Sequence, residues 1–379
     1  MTIPKSRIGI LDGFRAVAIL SVMFFHFFSR WTPPTNSVSL YPYAGAYNYF
    51  ELGSLGVQFF YIISGFVIYF TLENTYNFRT FWKKRLIRLV PSMAVASIII
   101  FTICRLFDSS NVFPNSHRLA NFIPSITFID PQILRFIFIK LNIDSFSKNL
   151  AYISGSYWTL WQEIQFYIYS SFIYFINIQK FKRNFLLISI ALISIDHTIL
   201  YLTTCKGLIF NFPPEFLRAY LKLNKSGLNL IPHLPFFSIG VVFYILFRDK
   251  RNKLKTTLPV KIAFWILLIF IARLDGVWTT KMVYFGMVTA FLVFIYFPDK
   301  ISFFENPILA GIGECSYFLY LIHENTGVLI INSLGKHFLY LGPIFPLGLI
   351  LLLILISIFY TKRLEFKISN WLKKQLVKA

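Results

Sequence analysis

The sequence predicts an all-α polytopic membrane protein with about ten transmembrane helices and both termini in the cytoplasm. Of its 379 residues, 56% are hydrophobic, 45 are phenylalanine and only 14% are charged, whereas about a quarter of a soluble domain is charged. The mean hydropathy is +0.63, and so little polar surface cannot enclose this much apolar surface in water. A soluble globular protein is therefore excluded.

Ten apolar runs are long enough to cross a hydrocarbon layer roughly 30 Å thick, which takes about 20 helical residues. The runs cover residues 9-29, 53-72, 87-107, 157-178, 184-204, 230-247, 259-274, 281-297, 311-331 and 342-361. The first is too long for a cleavable signal core and no cleavage site follows it, so we expect a retained anchor. The division of 259-297 at Asp275-Gly276 rests on one polar break. If that stretch were a single broken span, the orientation of everything after it would invert.

The basic residues predict how the chain is oriented. The net charge of +21 comes from 37 Lys and Arg against 16 Asp and Glu. Nucleic-acid binders concentrate such charge on a polar face, but here it lies in short clusters between apolar runs, so no nucleic-acid partner is expected. With the N-terminus inside, the cytoplasmic segments hold 22 of the 37 basic residues and the external segments hold 12. This is the asymmetry that the positive-inside rule requires.

Residues 1-361 form the predicted transmembrane domain, and residues 362-379 form a basic cytoplasmic tail. Apolar residues at helical spacing oppose lysines in the tail, which predicts an amphipathic helix on the anionic inner membrane surface. A simple positive-inside anchor explains the same charge equally well. The apolar positions are Leu364, Ile368, Trp371, Leu372 and Leu376, and the lysines are Lys367, Lys373, Lys374 and Lys378. Three widely spaced cysteines without a C-x-x-C pair predict neither a disulfide framework nor a metal site.

The first span contains two ionisable side chains, Arg15 and His26. Such groups cost roughly 2.5 to 3.5 kcal/mol on insertion scales, so each is a candidate functional residue. Their separation of 11 residues puts both on one helix face, about 16 Å apart. A cation then lies near the cytoplasmic surface and an imidazole in the outer half of the bilayer. The alternatives are an arginine that snorkels to the interface and a satisfied core histidine.

Two arginines, Arg85 and Arg88, lie three residues apart at the start of the third span. At this spacing both guanidiniums share a helix face and are able to bind phosphate through forked hydrogen bonds. Ordinary positive-inside charge is the alternative explanation.

The fourth span places a carboxylate inside the membrane. Trp158 and Trp161 are typical of an interfacial belt, but Glu163 lies deeper. Entering from outside, it reaches roughly 9 Å below the surface, close to the expected level of His26. A carboxylate there would orient the imidazole and raise its basicity. A structural hydrogen bond between helices is the alternative.

The ninth span carries a polar stripe of Ser316, Tyr320 and His323 on one helix face, because they occupy positions i, i+4 and i+7. The stripe either lines a cavity or joins helices.

Five motifs spread over nearly the whole chain resemble, in their residues and in their order, those of the acyltransferase 3 family of integral-membrane acyltransferases. Any one motif is weakly specific, whereas all five within ten spans of the predicted orientation are strongly specific. A threonine at position 159, where a serine is common, is a small departure. The motifs are Leu11-Asp12-Gly13-Phe14-Arg15-Ala16 with His26; Gly56 to Phe66, which includes Ser64-Gly65; Arg85-x-x-Arg88-Leu89-x-Pro91; Trp158 to Tyr167; and Ser316-Tyr317-x-x-Tyr320-Leu321-x-His323.

The resemblance implies a multi-pass O-acyltransferase of the inner (plasma) membrane, most often an O-acetyltransferase. Such families move an acyl group from cytoplasmic acyl-coenzyme A to a hydroxyl of a surface or secreted glycan, such as a capsule or a lipopolysaccharide O-antigen. Acyl-coenzyme A (acetyl-CoA) is a co-substrate, and neither a permanently bound cofactor nor a metal is expected. Some relatives carry a C-terminal SGNH hydrolase-like domain, and none is expected in this chain.

The residues and the resemblance together yield a set of candidate roles. Arg15, Arg85 and Arg88 are expected to bind acyl-coenzyme A, and His26 to act as general base or transient acyl carrier with Glu163 beside it. Gly65 either lets a backbone pass close to the acyl arm or serves tight helix packing. The supporting residues are Asp12, Ser64, Gly65, Tyr167, Ser316, Tyr317, Tyr320 and His323.

A transporter or flippase for a lipid-linked sugar, or a membrane polymerase of glycan units, would also bury Arg, Glu and His in ten spans. Against a carrier, the sequence shows no repeated halves of the kind many carriers have. The expected partners are acyl-coenzyme A, a carbohydrate acceptor on the outer side and the lipid bilayer; no oligomeric state is predicted. The external segments around His117 and from Pro213 to Lys225 are expected to help select the acceptor.

Overall fold

The computed structural model describes residues 8–30, 47–143, 149–204, 227–274 and 276–376, together with residues 215 and 220. Within these ranges the chain is helical and contains no β-strand, as the sequence predicts. The α-helices of six or more residues are α1 (Gly9–Phe28), α2 (Gly56–Glu73), α3 (Phe78–Phe107), α4 (Phe122–Thr127), α5 (Pro131–Lys140), α6 (Trp158–Ile176), α7 (Phe181–Thr204), α8 (Leu234–Arg251), α9 (Leu258–Arg273), α10 (Trp278–Tyr296), α11 (Pro307–Ile322), α12 (Val328–Leu334), α13 (Ile344–Phe359) and α14 (Phe366–Leu376).

A helix lies at each of the ten predicted spans, and α9 and α10 are separate helices on either side of the predicted break. The segment between α3 and α6 contains two helical stretches, Leu119–Thr127 and Pro131–Lys140, that meet at an angle of 111°. Taken together, they are also long and apolar enough to cross a membrane. The helices at the other predicted spans are shorter or more polar, so ten spans and cytoplasmic termini stay predictions. Six helical segments in the described part of the chain are long and apolar enough to cross a membrane: Gly9–Phe28, Glu51–Glu73, Phe78–Phe107, Ile231–Arg251, Trp278–Tyr296 and Ile344–Leu376.

Helices α1 and α11 run side by side in the same direction. Asp12 of α1 contacts Gly313 near the start of α11, and His26 near the end of α1 lies beside Glu324, just past the end of α11. Helix α6 runs the opposite way, because its first turn bonds to the last turn of α11. These are the relative directions of the predicted first, fourth and ninth spans.

Close backbone contact fixes the register of α1 on α11. A Cβ atom at position 313 would lie 1.8 Å from the carbonyl oxygen of Asp12, so a residue larger than glycine forces the helices apart. In a bilayer the hydrophobic effect does not drive apolar helices together, so they associate through close van der Waals packing. Small residues at the interface allow that packing. The contact places the polar residues of both helices against each other.

Gly65 serves the crossing of α2 and α8. A Cβ atom there would lie 2.0 Å from the carbonyl oxygen of Phe237, and Gly240 on α8 makes the reciprocal approach to Ile62. Of the two roles expected for Gly65, the structure shows tight helix packing, and the backbone of α8 occupies the space beside it.

The C-terminal segment continues α13 instead of forming a separate element. A π-helical turn over Tyr360–Glu365 joins α13 to α14, and the Tyr360 ring stacks on Phe318 of α11 with 3.8 Å between ring centroids. Helix α14 covers most of the predicted amphipathic tail and exposes Trp371. Its place on the inner membrane surface stays a prediction.

We expect Gly313→Ala to destabilise the folded protein, because the added methyl group collides with the backbone of Asp12 and overpacking of this kind costs about 1–3 kcal/mol. Thermal unfolding of the detergent-purified protein measures the effect. Gly311→Ala is the matched control in the same helix, since a Cβ atom at position 311 has nothing within 4 Å. Equal unfolding temperatures for the two variants would contradict the packing argument.

Candidate active site

A pocket in the helix bundle collects most of the polar residues singled out in the sequence. It is bounded by α1, α2, α3, α6 and α11. We call it the central pocket. Its polar lining consists of Arg15, Tyr61, Ser64, Arg85, Arg88, Thr159, Glu163, Tyr167, Ser316, Tyr317 and Tyr320.

Three guanidiniums meet at one end of the central pocket. Arg85 is 6% exposed and donates from Nη2 to the Thr71 hydroxyl at 2.6 Å. Its guanidinium carbon lies 5.4 Å from the centroid of the Tyr167 ring, a distance that favours a cation–π interaction. Arg15 donates to the buried carboxylate of Asp12 at 2.8 Å. Arg88 is exposed at the surface of the helix bundle.

Glu163 lines the central pocket, but the expectation that it neighbours His26 is wrong. Its Oε1 atom accepts hydrogen bonds from the Ser64 hydroxyl at 2.7 Å and from the Tyr167 hydroxyl. The prediction rested on depth in the membrane, which puts Glu163 and His26 at one level. In the structure, the rotation of α6 about its axis points the Glu163 carboxylate toward Ser64 of α2.

The carboxylate beside His26 is Glu324. The Nδ1 atom of His26 lies 3.3 Å from Oε1 of Glu324, and the two side chains are 12% and 7% exposed. The distance suits an ion pair, although the ring is not aligned for a hydrogen bond. The His323 ring packs edge-on against His26, with 5.0 Å between centroids. A buried carboxylate and two imidazoles therefore form a cluster at the opposite end of α1 from Arg15.

Sequence reasoning missed Glu324. The residue falls inside the predicted span 311-331, and the rule that picked out Glu163, an ionisable group within a span, applies to it equally. The stripe on α11 was followed only as far as His323, where regular helical spacing ends. Beyond that point the chain forms a π-helical turn over His323–Gly327, with all five residues buried, and such turns are frequent at functional sites.

Asn325 ties this turn to the segment between α3 and α6. Its Nδ2 atom donates to the Ser116 hydroxyl at 2.8 Å and to the carbonyl of Ile153 at 3.2 Å, while its Oδ1 accepts from the Ser154 hydroxyl at 2.7 Å. All three side chains are fully or almost fully buried. The position of His323 and Glu324 therefore depends on residues more than 160 positions earlier in the chain.

Tyr320 separates the central pocket from the histidine cluster. Its hydroxyl contacts the Thr159 hydroxyl at 2.8 Å and donates to the carbonyl of Ser156 at 3.2 Å. Its ring lies 5.3 Å from that of His323, measured between centroids. Ser316 and Tyr320 line the pocket, and Tyr320 also bonds to Thr159 of α6. The polar stripe therefore both lines a cavity and joins two helices, the two alternatives that the sequence left open.

The segments expected to select an acceptor are described only in part. The Nε2 atom of His117 lies 3.0 Å from the carboxylate of Asp108, which also accepts from the backbone N–H groups of Val112 and Phe113. This ring therefore helps to hold its own segment together. Residues 213–225, apart from 215 and 220, lie outside the described residues.

Comparison with known proteins finds relatives along most of the chain. The acyltransferase-domain family model matches residues 8–362. A Staphylococcus aureus (strain COL) protein named "Putative O-acetyltransferase" is 25% identical over 342 residues, which cover 83% of this chain and 49% of the relative. O-acetyltransferase OatA of Staphylococcus aureus (strain NCTC 8325) is 26% identical over 204 residues, covering 50% of this chain and 30% of OatA. The chain spans about half or less of the length of these curated relatives. No solved structure matches it.

We expect Asn325→Ala to destabilise the protein, because it leaves the buried hydroxyls of Ser116 and Ser154 without this partner. Removing one side of a buried hydrogen bond costs about 1–3 kcal/mol, and thermal unfolding measures it. The control is Asn332→Ala, since the side-chain oxygen of Asn332 has no hydrogen-bond partner in the described part of the chain. A larger loss for Asn332→Ala than for Asn325→Ala would refute the anchoring role.

Proposed function

Since the chain belongs to the acyltransferase 3 family, we propose that it transfers an acetyl group from cytoplasmic acetyl-coenzyme A to a carbohydrate hydroxyl on the outer side of the membrane. One observation carries the proposal. A pocket with three arginines at one end reaches, at Tyr320, a buried histidine that packs against a partly exposed histidine and its neighbouring carboxylate. The arginines suit the phosphates of a nucleotide thioester, and the histidines suit proton transfer from a hydroxyl group.

The donor binds with its phosphates at the arginine end of the central pocket. Arg88 is exposed there and Arg85 is held by Thr71 and Tyr167, so one guanidinium is free to meet the ligand while another is already oriented. The roughly 16 Å between the levels of Arg15 and His26 is spanned by the slender pantetheine arm. The nucleotide therefore remains on the cytoplasmic side, and only the acyl group reaches the outer half of the bilayer.

Glu163 binds the donor arm in this proposal instead of tuning His26. Its carboxylate lines the pocket between the arginine end and Tyr320, and Ser64 and Tyr167 hold one of its oxygens. An amide N–H group of the pantetheine arm is a suitable donor to such an oriented carboxylate.

His26 removes the proton from the acceptor hydroxyl. If its Nδ1–H points to Glu324, which lies 3.3 Å away, the opposite nitrogen Nε2 is the basic one. Hydrogen bonds at catalytic groups are often long without substrate and tighten when it binds. The carboxylate also stabilises the imidazolium that forms. Over the whole reaction, the acceptor oxygen replaces the thioester sulfur on the acyl carbon, coenzyme A leaves as the thiolate, and the proton is returned to the thiolate or to water.

The acceptor is proposed to be a surface polysaccharide or a lipid-linked glycan, and the site to be that of an inner-membrane protein. The named relatives are O-acetyltransferases by their printed names, and the described helices include six that are able to cross a membrane. Both findings support an enzyme that works at the membrane on an alcohol group.

We expect cells with His26→Ala to lose an ester-linked acetyl group from their surface glycan. Loss of a general base lowers the rate by about 10²–10⁴-fold, and the ester is measured as acetate released from the glycan by mild alkali. The control is His337→Ala, because this histidine is exposed and outside the site. A wild-type acetate content with His26→Ala would refute the role of His26. Shortened or missing glycan in cells lacking the gene would point to a polymerase or flippase instead.

We expect Arg88→Ala to raise the apparent KM for acetyl-coenzyme A about tenfold to a hundredfold, because a hydrogen bond to a charged group contributes about 1.5–3 kcal/mol. Initial rates at varied donor concentration measure it. Lys84→Ala is the control: it removes the same charge one turn earlier on α3, is also exposed, and lies outside the pocket lining. Equal KM values for the two variants would contradict a role for Arg88 in donor binding and leave it as ordinary positive-inside charge.

A further inference from the structure

We propose that His323 is a covalent acyl carrier. Its Nε2 atom takes the acyl group from the donor thioester and passes it to the acceptor hydroxyl that His26 deprotonates. The inference deepens the proposed function and rests on it, but it assigns the two imidazoles different steps.

The hydrogen bond at one nitrogen of His323 fixes the chemistry of the other. Nδ1 lies 2.8 Å from the backbone carbonyl oxygen of Tyr320, and a carbonyl oxygen only accepts. Nδ1 therefore bears the proton, and Nε2 of the neutral ring bears a lone pair. An imidazole that donates in this way is more electron-rich at its second nitrogen.

That second nitrogen has no hydrogen-bond partner among the residues that the structure describes. The His323 side chain is completely buried. A buried acceptor left unsatisfied costs about 1–3 kcal/mol, so a histidine with a purely structural role would be expected to use both nitrogens. A bare, buried lone pair is instead what a nucleophile offers to an incoming carbonyl carbon.

The order of the rings separates donor from acceptor. Tyr320 lines the central pocket, and between ring centroids His323 lies 5.3 Å from Tyr320 and 5.0 Å from His26. His323 is wholly enclosed, whereas 12% of the His26 side chain is exposed. His323 is thus the imidazole beside the pocket that receives the thioester, and His26 is the one open to an acceptor.

The two steps balance. In the first, a bond forms between Nε2 of His323 and the acyl carbon, the carbon–sulfur bond breaks, and coenzyme A leaves as the thiolate. The ring becomes an acyl-imidazolium that keeps its Nδ1–H. In the second, the acceptor oxygen bonds to the acyl carbon, the bond from that carbon to Nε2 breaks, and the hydroxyl proton moves to His26. His26 then releases its proton to solvent, and the coenzyme A thiolate takes up a proton from solvent, so that the overall proton count balances.

The neighbouring carboxylate matches the charge that these steps create. Glu324 follows His323 in the chain and lies 3.3 Å from His26. Its Oε2 atom has no hydrogen-bond partner in the part of the chain that the structure describes. One carboxylate is therefore placed to stabilise the acyl-imidazolium in the first step and the His26 imidazolium in the second.

The experiment is isotope exchange without acceptor. Purified full-length protein is incubated with acetyl-coenzyme A and isotopically labelled free coenzyme A, and label entering acetyl-coenzyme A is followed. A covalent acyl carrier catalyses this exchange, because the first step is reversible. Direct transfer from donor to acceptor does not.

Two variants assign the step to a residue. His323→Asn keeps an amide N–H near the position of Nδ1 and removes Nε2, so the hydrogen bond to Tyr320 survives; we expect both exchange and acyl transfer to fall to background. His26→Asn is expected to retain exchange within about threefold of wild type and to lose acyl transfer by about 10²–10⁴-fold. His337→Asn, at an exposed position, should retain both activities.

Each outcome bears on one claim. Exchange that persists in His323→Asn, or that is absent from a wild-type protein active in acyl transfer, overturns the carrier role and leaves the proposed function intact. If His323→Asn does not reach the membrane, the exchange of wild type and of His26→Asn still decides, since loss of exchange in His26→Asn would move the carrier to His26. A wild-type protein that transfers no acetyl group from acetyl-coenzyme A refutes the proposed function itself.

Discussion

The backbone contact between α1 and α11 is the constraint on which the rest of the site depends. With no side chain between Gly313 and the carbonyl of Asp12, the two helices cannot slide past each other without losing that contact. Helical periodicity then carries the register along both. One helix supplies Arg15 and His26, and the other supplies Ser316 and Tyr320 and leads directly into the turn that bears His323. The remaining helices complete the pocket around this pair.

Inferences within a single helix were the most dependable part of the sequence prediction. Ser316 and Tyr320 do line one pocket, with His323 directly beyond them, because spacing along a helix determines which residues share a face. Contacts between side chains of different helices were harder to predict from the sequence. Glu163 was placed by its depth alone, but depth leaves the rotation of a helix about its axis undetermined. Glu324 lies in a turn with a different periodicity, so the same spacing rule could not reach it.

Some of the polar atoms buried without a hydrogen bond in the described part of the chain lie at the proposed reacting end of the site. Other polar side chains nearby, such as Asn325 in the same turn and Glu163 in the central pocket, have well-formed hydrogen bonds. At the π-helical turn, polar atoms of His26, His323 and Glu324 are buried without one. Native proteins tolerate few such groups, and those that persist tend to have a functional explanation. A bilayer makes the contrast sharper, because no water is present in its core to satisfy them.

The anchoring of the π-helical turn by Asn325 limits how such an enzyme can change its acceptor. The segment between α3 and α6 provides Ser116 and Ser154, and these hydroxyls hold the turn that bears His323 and Glu324. In the proposed function, acceptor recognition and reactivity are therefore not separable modules. In the proposed function, a segment transplanted from a relative would bring new sugar contacts, but the turn would keep its shape only if both serines, or an equivalent acceptor and donor, came with it.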